Sequence, residues 1–578
     1  MLTTQEKPIA RVCKHAFLSY HNQQYGQDLL TAKITEIMPD GTRRDRIVFL
    51  ENYKVDFYTV KEKYRTFKDQ KDYIEISKCD KHSSNDAKMP SNISRVLHGR
   101  PDRKASLSDM KNSQYVFGCQ ETVPVKFKQK FYDKYPEHQP QEAYTVAAYD
   151  VETFVLPNGD TGPVCMASTT INERAYWAGL RRIFKGDSDE VILRTLNEYA
   201  EKYLKEYMEE HNVKIHFQLE DTPAKIVYNN IQFWHERGPD FIVSWNARFD
   251  MEANQRELLN EGYSLPKVYS DPDTPRGYED YFFFPGREFK TKVDGSKTPL
   301  ENQERFPVVQ APAKWQWFDG MSFYAIKRAP QGKLESYSLE STARAEKVMS
   351  KLYTDIGSHL AAGSGEWHKW MLENEPYLYA MYNIQDNWVI EEINRKTNDY
   401  SLSLPSLVTS SELKSYQSQP SMISDKLSFI ALKNGFVWGT VGRNKEDPFK
   451  EMKPDLRDWI ALLHAELNED KGKAIFEGLP SWRSKARGAT DDIDVSAAYP
   501  TTTISLNVSN KTTQLEVVEI EGLDRMEYRR VGINYASSPV GNCVTLCNTI
   551  YGMPHLTEIN DLFVNEMVPF FNKVKENK

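Results

Sequence analysis

The sequence predicts a multidomain α/β protein, and three observations support this fold class. The chain has 578 residues, which is too many for one ordinary hydrophobic core and favours roughly three to five domains. Hydrophobic residues make up 40% and charged residues 27% of the chain, which is globular composition and excludes a disordered or fibrous protein. Over roughly 144–400, strand-like segments alternate with segments of helical periodicity, as in α/β domains.

The strands of this α/β region are expected at two apolar segments. The first strand covers 144–149 and continues into Asp150 and Glu152. The second strand covers 241–245 and leads directly into Asn246. Both segments are short, apolar and bounded by polar or turn-forming residues, which is the pattern of buried strands.

Helices are predicted between and after these strands. One helix should begin after Thr222, a capping residue followed by Pro, and should end at Gly238. A late helix should begin near Pro376 and run through Ile393. A further buried helix face is indicated by residues at helical spacing, namely Ile192, Leu196, Tyr199, Tyr203 and Tyr207.

The first 140 residues indicate a mixed α/β region with long polar insertions. A strand is expected over 46–50, and the Ser- and Lys-rich run 78–111 has the pattern of a surface excursion. The stretch 126–135 interleaves basic and aromatic residues, which suits either contact with a nucleic-acid strand or, with more weight, a solvated amphipathic helix. From 401 the sequence becomes Ser- and Pro-rich, which indicates a linker or boundary.

Composition and charge exclude several classes of protein. No apolar run approaches the roughly 20 residues of a membrane helix, and the N-terminus lacks the apolar core of a secretion signal. Six cysteines are too few for a disulfide framework in a chain of this length. The expected protein is therefore soluble and intracellular. Its net charge of −8 argues weakly against a nucleic-acid coat but leaves room for a local basic groove.

Acidic residues occur in or just after three elements of the α/β region. Asp150 and Glu152 fall on one side of the first strand, because strand side chains alternate. Asp250 follows the second strand, and Tyr382 and Asp386 share one face of the late helix. Four carboxylates at one site would repel each other without divalent cations, and oxygen ligands favour Mg²⁺ or Mn²⁺. Two such ions can activate a water and stabilise the leaving oxygen of a phosphodiester.

Each acidic segment taken alone favours a structural role, but their order along the chain is specific. The combination of D-x-E, N-x-x-F-D and Y-x-x-x-D resembles the DEDDy-type 3′–5′ exonuclease domains that proofread for DNA polymerases. This resemblance implies an RNase H-like domain with two metal ions. The metal carboxylates would be Asp150, Glu152, Asp250 and Asp386, with Tyr382 orienting the attacking water.

The same resemblance assigns two further residues and shows one departure. Asn246 and Phe249 would contact the site or the 3′ nucleotide. Asn246 and Asp250 are four positions apart, whereas family B polymerases usually place them one residue further apart. The shorter spacing also occurs in other proofreading exonucleases, so it affects the loop geometry more than the chemistry.

A second motif follows near residue 494. The run 491–500 ends in Tyr-Pro, and taken alone it favours an edge strand that stops at Pro. After an exonuclease pattern, it resembles motif A of family B DNA polymerases, and 506–509 resembles the tailed-phage branch. The segments 334–343 and, more faintly, 52–74 are similar to that branch as well. The resemblance implies that Asp494 holds the two polymerase metals and that Tyr499 packs under the deoxyribose and excludes a 2′-hydroxyl.

Other parts of a family B polymerase are missing from the sequence. The palm motif D-T-D-S is absent, and the sequence ends soon after Asp494. The run 548–552 partly matches the fingers motif, but Val544 stands where a Lys would grip the triphosphate, which favours a chance match. The chain therefore resembles the exonuclease-bearing front part of a family B polymerase, split or truncated inside the palm.

This resemblance implies a domain order. The expected domains are an N-terminal domain (1–143), the exonuclease domain (144–400), a helical linker that returns to the N-terminal domain (401–485), and a partial palm with the start of the fingers (486–578). A second polypeptide would supply the fingers, the remaining palm and the thumb. The apolar segment 564–571 would then either face that partner or end an ordinary amphipathic helix.

The expected function is 3′–5′ proofreading, with DNA synthesis only in the presence of the second chain. The expected partners are DNA primer–template and deoxynucleotides, with a sliding clamp left open, no membrane, and the cytoplasm of an infected cell as location. Arg483, Lys485 and Arg487 are candidates for template phosphate contacts, with a solvated loop as the alternative. Two other functions stay open: a stand-alone exonuclease with a degenerate polymerase region, and a non-enzymatic primer–template scaffold.

Overall fold

The computed structural model describes most of the first 439 residues and three strands beyond them. The described residues are 7–65, 73–102, 106–111, 113–135, 144–291, 296–329, 332–403, 411–416 and 419–439, with the backbone of 513–519, 527–533 and 544–550. The chain divides into two compact units, Met1–Asn444 and Lys445–Lys578. The first unit is mixed α/β and contains a large mixed sheet, so the α/β class is confirmed.

The N-terminal part of the first unit contains two three-stranded antiparallel sheets. In one sheet the order is β1-β2-β3, and in the other β4 lies between β6 and β7. The strand predicted over 46–50 is confirmed as part of β3. The elements are β1 (Ala10–Tyr20), β2 (Asp28–Ile37), β3 (Arg43–Glu51), β4 (Val55–Val60), β5 (Ile74–Glu75), β6 (Cys79–Ser84), α1 (Met89–His98), α2 (Leu107–Lys111), β7 (Val116–Phe117) and α3 (Val123–Lys134).

The run 78–111 is not the surface excursion that its polar composition predicts. It supplies β6 and α1, and Cys79, Met89 and Ile93 are buried within it. Ile93 and Met89 belong to the same apolar cluster as residues of β1 and β4. A few apolar residues at the right spacing are therefore enough to anchor a helix in an otherwise polar run.

Helix α3 confirms the helix predicted over the basic and aromatic stretch 126–135, but this helix is more deeply buried than a solvated one. Lys126 and Lys128 are buried, and their ammonium groups donate to backbone carbonyls. The acceptor of Lys126 is Asp56 at 2.8 Å, together with Gly118, and the acceptor of Lys128 is Ser411. These two cations are structural and cannot contact a phosphate backbone.

An eight-stranded mixed sheet forms the centre of the rest of the first unit. Its strand order is β11-β10-β9-β8-β12-β17-β16-β13. Strand β8 lies inside the sheet, antiparallel to β9 and parallel to β12. The strands are β8 (Val146–Val155), β9 (Thr161–Ile171), β10 (Arg174–Leu180), β11 (Lys214–Glu220), β12 (Phe241–Ser244), β13 (Phe282–Phe284), β16 (Val308–Gln310) and β17 (Gln316–Asp319), and a separate hairpin contains β14 (Phe289–Thr291) and β15 (Lys297–Pro299).

Helices cover this sheet and bury two large apolar clusters. One cluster includes Trp177, Trp234 and Trp388, and the other includes Phe318 and Tyr400. The helices are α4 (Asp189–Tyr203), α5 (Lys205–Glu210), α6 (Pro223–Arg237), α7 (Ala247–Asn260), α8 (Leu265–Tyr269), α9 (Gly320–Arg328), α10 (Leu339–Glu346), α11 (Gly365–Asn374) and α12 (Pro376–Thr397), whereas a later helix, α13 (Gln419–Lys433), packs against the short strand that follows it. Among the described helices, none combines the length and apolar character needed to cross a membrane.

The predicted boundaries of α6 are confirmed. The Thr222 hydroxyl accepts a hydrogen bond from the Lys225 amide, and Gly238 ends the helix in the left-handed conformation with φ 55°. The helix predicted from the periodicity of 192–207 is instead two helices, because the chain breaks at Leu204 between α4 and α5. Ile192, Leu196 and Tyr207 are nevertheless buried on one side.

After α12 the chain returns to the N-terminal strands. A short strand after α13, β18 (Phe436–Val437), pairs antiparallel with β5. Residues 404–410 of the Ser- and Pro-rich run lie outside the described residues.

In the second unit, three strands are described and pair antiparallel in chain order. They are β19 (Thr513–Glu519), β20 (Glu527–Ile533) and β21 (Val544–Ile550). Residues 548–550 of the fingers-like run therefore lie on a strand, whereas the fingers motif that they resemble lies on a helix. The apolar segment 564–571 lies outside the described residues.

A buried charge network links the N-terminal strands to the loop before β12. The Lys33 ammonium contacts Asp240 at 2.6 Å and the Gly238 carbonyl at 2.6 Å, and Lys14 lies 3.5 Å from Asp240. Burial alone would raise the pKa of Asp240, but the two lysines lower it. Next to this network, His15 Nε2 donates to the Lys314 carbonyl at 2.9 Å, which places a hydrogen on Nε2.

His15 is expected to make the fold sensitive to acid. Burial, with the nearby Lys33 charge, lowers its pKa to about 4, against about 6.5 in an unfolded chain. The unfolded state therefore binds the extra proton as pH falls from about 6.5 towards 4, so stability is lost over that window. The expected loss is about 2 kcal/mol of unfolding free energy between about pH 7 and 4.5.

The measurement is urea denaturation of the wild type and of His15→Gln at both pH values. Glutamine keeps a donor for the Lys314 carbonyl but does not titrate, so the variant should lose about 2 kcal/mol less on acidification. An identical pH dependence in the two proteins would contradict the assignment of a neutral His15.

Candidate metal centre

Three carboxylates converge between β8 and α12. Asp150 and Glu152 come from β8, Asp386 comes from α12, and one oxygen of each lies within 4.8 Å of the others. Two ligands on opposite sides of a Mg²⁺ or Ca²⁺ ion stand about 4 to 5 Å apart, so one ion can reach all three. All three donors are oxygens, which is the chemistry that Mg²⁺ and Mn²⁺ prefer.

The local structure explains why these side chains meet. Helix α12 packs against β8 and β9, and its turn places Tyr382 and Asp386 on one face. Tyr382 is 1% and Asp386 3% exposed. From the same face, Asn383 donates from Nδ2 to Asp150 Oδ2 at 2.7 Å. The helix therefore supplies one ligand and also holds a ligand of the strand.

Asp250 lies beside the three-carboxylate group but does not join it. It sits in the first turn of α7, and its Oδ1 accepts a hydrogen bond from the Val151 amide at 3.2 Å. That amide lies between Asp150 and Glu152 on the strand, so the fourth acid reaches the same edge of the site. Its carboxylate is oriented by the backbone of β8.

The loop before α7 is held by a buried aspartate at the end of β17. Asn246 adopts the left-handed conformation with φ 64°, and its amide donates to Asp319 Oδ1 at 2.9 Å. Asp319 also accepts from Ser322, whose hydroxyl lies 2.7 Å away. Asn246 and Phe249 are exposed next to Asp250, where an incoming group could contact them.

A chain of hydrogen bonds fixes the Glu152 carboxylate. The Tyr379 hydroxyl donates to Glu152 Oε2 and lies 2.7 Å from His368 Nδ1. Because that hydroxyl has a single proton, its bond to Glu152 leaves His368 as the donor in the second contact. Burial and the Lys351 charge lower the pKa of His368 to about 4, so it acts as a neutral partner.

Lys351 brings a cation to the edge of the site. Its ammonium donates to Asp386 Oδ2 at 2.5 Å and to the Tyr382 hydroxyl at 2.7 Å. Since the ammonium uses the Tyr382 oxygen as an acceptor, the phenolic proton of Tyr382 is free to be donated elsewhere. Lys351 thus neutralises one carboxylate and orients the hydroxyl at the same time.

Crowding of buried acids raises their pKa values. Burial raises the pKa of Glu152 to about 7, although the Tyr379 hydrogen bond lowers it, and burial raises that of Asp386 to about 6 despite Lys351. Burial and then the neighbouring carboxylates raise the pKa of Asp150, and burial does the same for Asp250. The metal-free site therefore retains protons near neutral pH, and a divalent cation would release them on binding.

The structure brings together the exonuclease residues that the sequence predicts. Asp150, Glu152, Tyr382 and Asp386 meet directly, and Asp250 adjoins them with Asn246 and Phe249 exposed beside it. The predicted polymerase and template residues lie outside the described residues, namely Asp494, Tyr499, Arg483, Lys485 and Arg487.

Five residues of the site are absent from the sequence prediction. Tyr379 and Asn383 share the α12 face of Tyr382 and Asp386, so helical spacing alone could have found them. Asp319 ends a strand next to β12, and an acid at the end of an apolar segment can also be recognised in the sequence. Lys351 and His368 belong to no motif that spacing reveals, because they come from a loop and from α11.

A comparison of the chain with protein-family models finds no match, and a search of curated proteins finds no similar sequence.

Tyr379→Phe tests the hydrogen-bonded support of Glu152. Loss of the donor should weaken Mn²⁺ binding about 10-fold, at the lower end of what outer-shell partners contribute. Isothermal titration calorimetry measures this change, with Tyr377→Phe as the matched control, because the Tyr377 hydroxyl donates to Asp187 away from the carboxylates. Equal Mn²⁺ affinities in the two variants would contradict the role of Tyr379.

Proposed function

We propose that this chain is a metal-dependent 3′–5′ DNA exonuclease with an RNase H-like exonuclease domain. The observation that carries the proposal is the meeting of Asp150, Glu152 and Asp386 at one point, with Tyr382 and Asp250 at its edge. A buried cluster of acids is costly unless cations compensate it, and among the described residues Lys351 is the lysine that pairs with these carboxylates. Such a site suits an enzyme that binds divalent cations during phosphodiester cleavage.

The residues present fit two divalent cations. Asp150, Glu152, Asp386 and Asp250 would hold them, and Mg²⁺ or Mn²⁺ would supply Lewis acidity to the attacking water and the leaving oxygen. In cleavage, a water oxygen bonds to phosphorus, the bond from phosphorus to the 3′ oxygen breaks, and that oxygen takes up a proton. The product is a deoxynucleoside 5′-monophosphate.

The protein side chains would position this reaction. Tyr382 has its phenolic proton available, so it would orient the attacking water. Tyr379 and Asn383 hold the strand carboxylates, and Lys351 limits the charge at Asp386. Exposed Phe249 offers an apolar face to the terminal base, while Asn246 offers an amide beside it.

We propose further that the chain is the N-terminal portion of a family B DNA polymerase of the tailed-phage type. Support for this part comes from the sequence, in the motif that contains Asp494 and Tyr499. A single carboxylate cannot assemble a two-metal polymerase site, so synthesis would require a second polypeptide with the remaining palm and the fingers. Deoxynucleotides and primer–template would then be substrates of the joint site.

The decisive experiment uses the purified chain, a 5′-labelled primer–template, Mg²⁺ and all four deoxynucleotides. We expect shortening from the 3′ end that stops with a chelator and resumes with added Mg²⁺, and no extension. Internal nicks, shortening from the 5′ end or an unchanged primer would contradict the exonuclease proposal.

Extension by the single chain would contradict the proposed split of the polymerase. Asp494→Ala separates the polymerase part from the exonuclease part. It should leave shortening intact and abolish synthesis in a partner-complemented assay, whereas unaffected synthesis would show that Asp494 is incidental.

A further inference from the structure

A cavity of ≈ 490 Å³ lies at the end of β8, the strand that carries Asp150 and Glu152, and its volume is within the range of ligand sites. We call it the hairpin cavity and define it by six of its lining residues. They are Phe154, Arg182, Lys185, Lys369, Leu372 and Glu373. Phe154 belongs to β8 and is two residues beyond Glu152, which is about 7 Å of strand.

Two elements connect the hairpin cavity to the carboxylates. The pairing of β8 with β9 shifts register between Glu152 and Val155, and such irregularities re-aim side chains next to active sites. Helix α11 carries His368, which contacts Tyr379 at the metal centre, and the next residue, Lys369, lines the cavity. A ligand that extends from the carboxylates along β8 therefore reaches the cavity.

The cavity combines cations with apolar walls. Arg182 Cζ lies 5.3 Å from the centroid of the Phe154 ring, which is within cation–π distance. Among the described residues, no carboxylate pairs with Arg182 or Lys369, and Lys185 donates to the Glu373 carbonyl. Three cations thus face a single acid, Glu373. Cations that follow a phosphate backbone and an aromatic face that stacks on bases are the two features by which proteins hold single-stranded nucleic acid.

We propose that the hairpin cavity binds a nucleotide of the single-stranded DNA substrate, on the 5′ side of the cleaved bond. This inference rests on the proposed exonuclease function and adds a second contact to it. Arg182 and Lys369 would contact phosphates, and the wall formed by Phe154 and Leu372 would contact the base. An acidic peptide would satisfy the cations, but it would not explain an aromatic wall that continues from the carboxylates.

The test compares a long and a short substrate. For a thymidine octanucleotide, Arg182→Ala with Lys369→Ala should raise KM about tenfold and leave kcat within about twofold, because only binding away from the reacting bond is lost. For the p-nitrophenyl ester of thymidine 5′-monophosphate, which has no nucleotide on the 5′ side of the cleaved bond, kcat/KM should not change. The control is Arg194→Ala with Lys205→Ala, which removes two exposed cations from α4 and α5. Release of thymidine monophosphate is followed by chromatography.

Equal losses on both substrates, or an unchanged KM for the octanucleotide, would overturn the proposal. Glu373→Gln gives a second measurement with opposite sign, because removal of the one acid should lower KM for the octanucleotide. Thermal melting of each variant separates loss of binding from loss of folding.

A binding assay keeps the proposal testable even if the wild type cleaves nothing. Anisotropy of the labelled octanucleotide is measured in a chelator at several salt concentrations. The slope of log affinity against log salt should fall by about 0.7 for each phosphate contact that the double variant loses. Binding that does not depend on Arg182 and Lys369 would overturn the cavity proposal, whereas failed cleavage with cation-dependent binding would overturn only the exonuclease function.

Discussion

Replacement of Asp150 by Asn together with Glu152 by Gln should reduce 3′–5′ cleavage about a thousandfold or more. The double variant keeps the shape of both side chains, and the amide oxygens still accept from Asn383 and Tyr379. It removes two of the three carboxylates that converge within 4.8 Å. Loss of a single outer-shell partner typically lowers metal affinity or activity about 10- to 100-fold, so loss of two direct ligands should lower activity further.

The cleavage rate is measured on a 5′-labelled single strand with Mg²⁺ in excess. Asp160→Asn is the matched control, because Asp160 is an exposed acid in the same β8–β9 hairpin and its carboxylate accepts from the turn residue Asn158. A thermal shift with Mn²⁺ provides an independent readout. At about 100 times its dissociation constant, a bound ion adds about 2.7 kcal/mol to the wild type, and it should add little to the double variant.

The metal-free double variant should be at least as stable as the metal-free wild type. Burial raises the pKa values of both acids in the wild type, and the neighbouring carboxylates raise that of Asp150 further, so neutral side chains remove an unfavourable interaction. If the double variant were inactive because it unfolds, it would instead be less stable than the metal-free wild type. Retained cleavage in a folded variant would exclude Asp150 and Glu152 as metal ligands.

The sequence predicts the central elements of the fold because their signals are local. The strand that carries Asp150, the cap at Thr222 and the helix from Pro376 all depend on residues within a few positions. The run 78–111 was less predictable, since Ile93 and Met89 become core residues only when β1 and β4 lie against them. Lys126 and Lys128 are also unpredictable locally, because their acceptors are carbonyls of distant segments.

The same distinction holds for the candidate site. The carboxylates are predictable from the sequence because alternation on a strand and the turn of a helix orient them together. Lys351 and His368 lie on a loop and a neighbouring helix, and only the packing of those segments against α12 and β8 brings them to the acids. A spacing rule describes ligands on regular elements but not the groups that compensate their charge.

Of the substitutions proposed, Lys351→Met should have the second largest effect, which is a loss of unfolding free energy. Lys351 is 18% and Asp386 5% exposed at the side chain, and their contact of 2.5 Å is a largely buried ion pair. Removal of one partner of such a pair typically costs 3 to 5 kcal/mol, and the partial exposure of Lys351 places the expected loss at about 3 kcal/mol. This loss applies to the metal-free protein, because a bound divalent cation would compensate Asp386 in place of the ammonium.

Urea denaturation in a chelator measures the loss, and Lys347→Met is the control, since Lys347 is exposed four residues earlier. Adding Asp386→Asn to Lys351→Met should recover much of the stability, because the unpaired charge is then gone. Mn²⁺ should stabilise Lys351→Met more than the wild type, since no ammonium competes for Asp386. If Lys351→Met is as stable as the wild type in the chelator, the lysine does not compensate the acidic cluster, and the protons retained by the buried carboxylates are enough to keep the metal-free site folded.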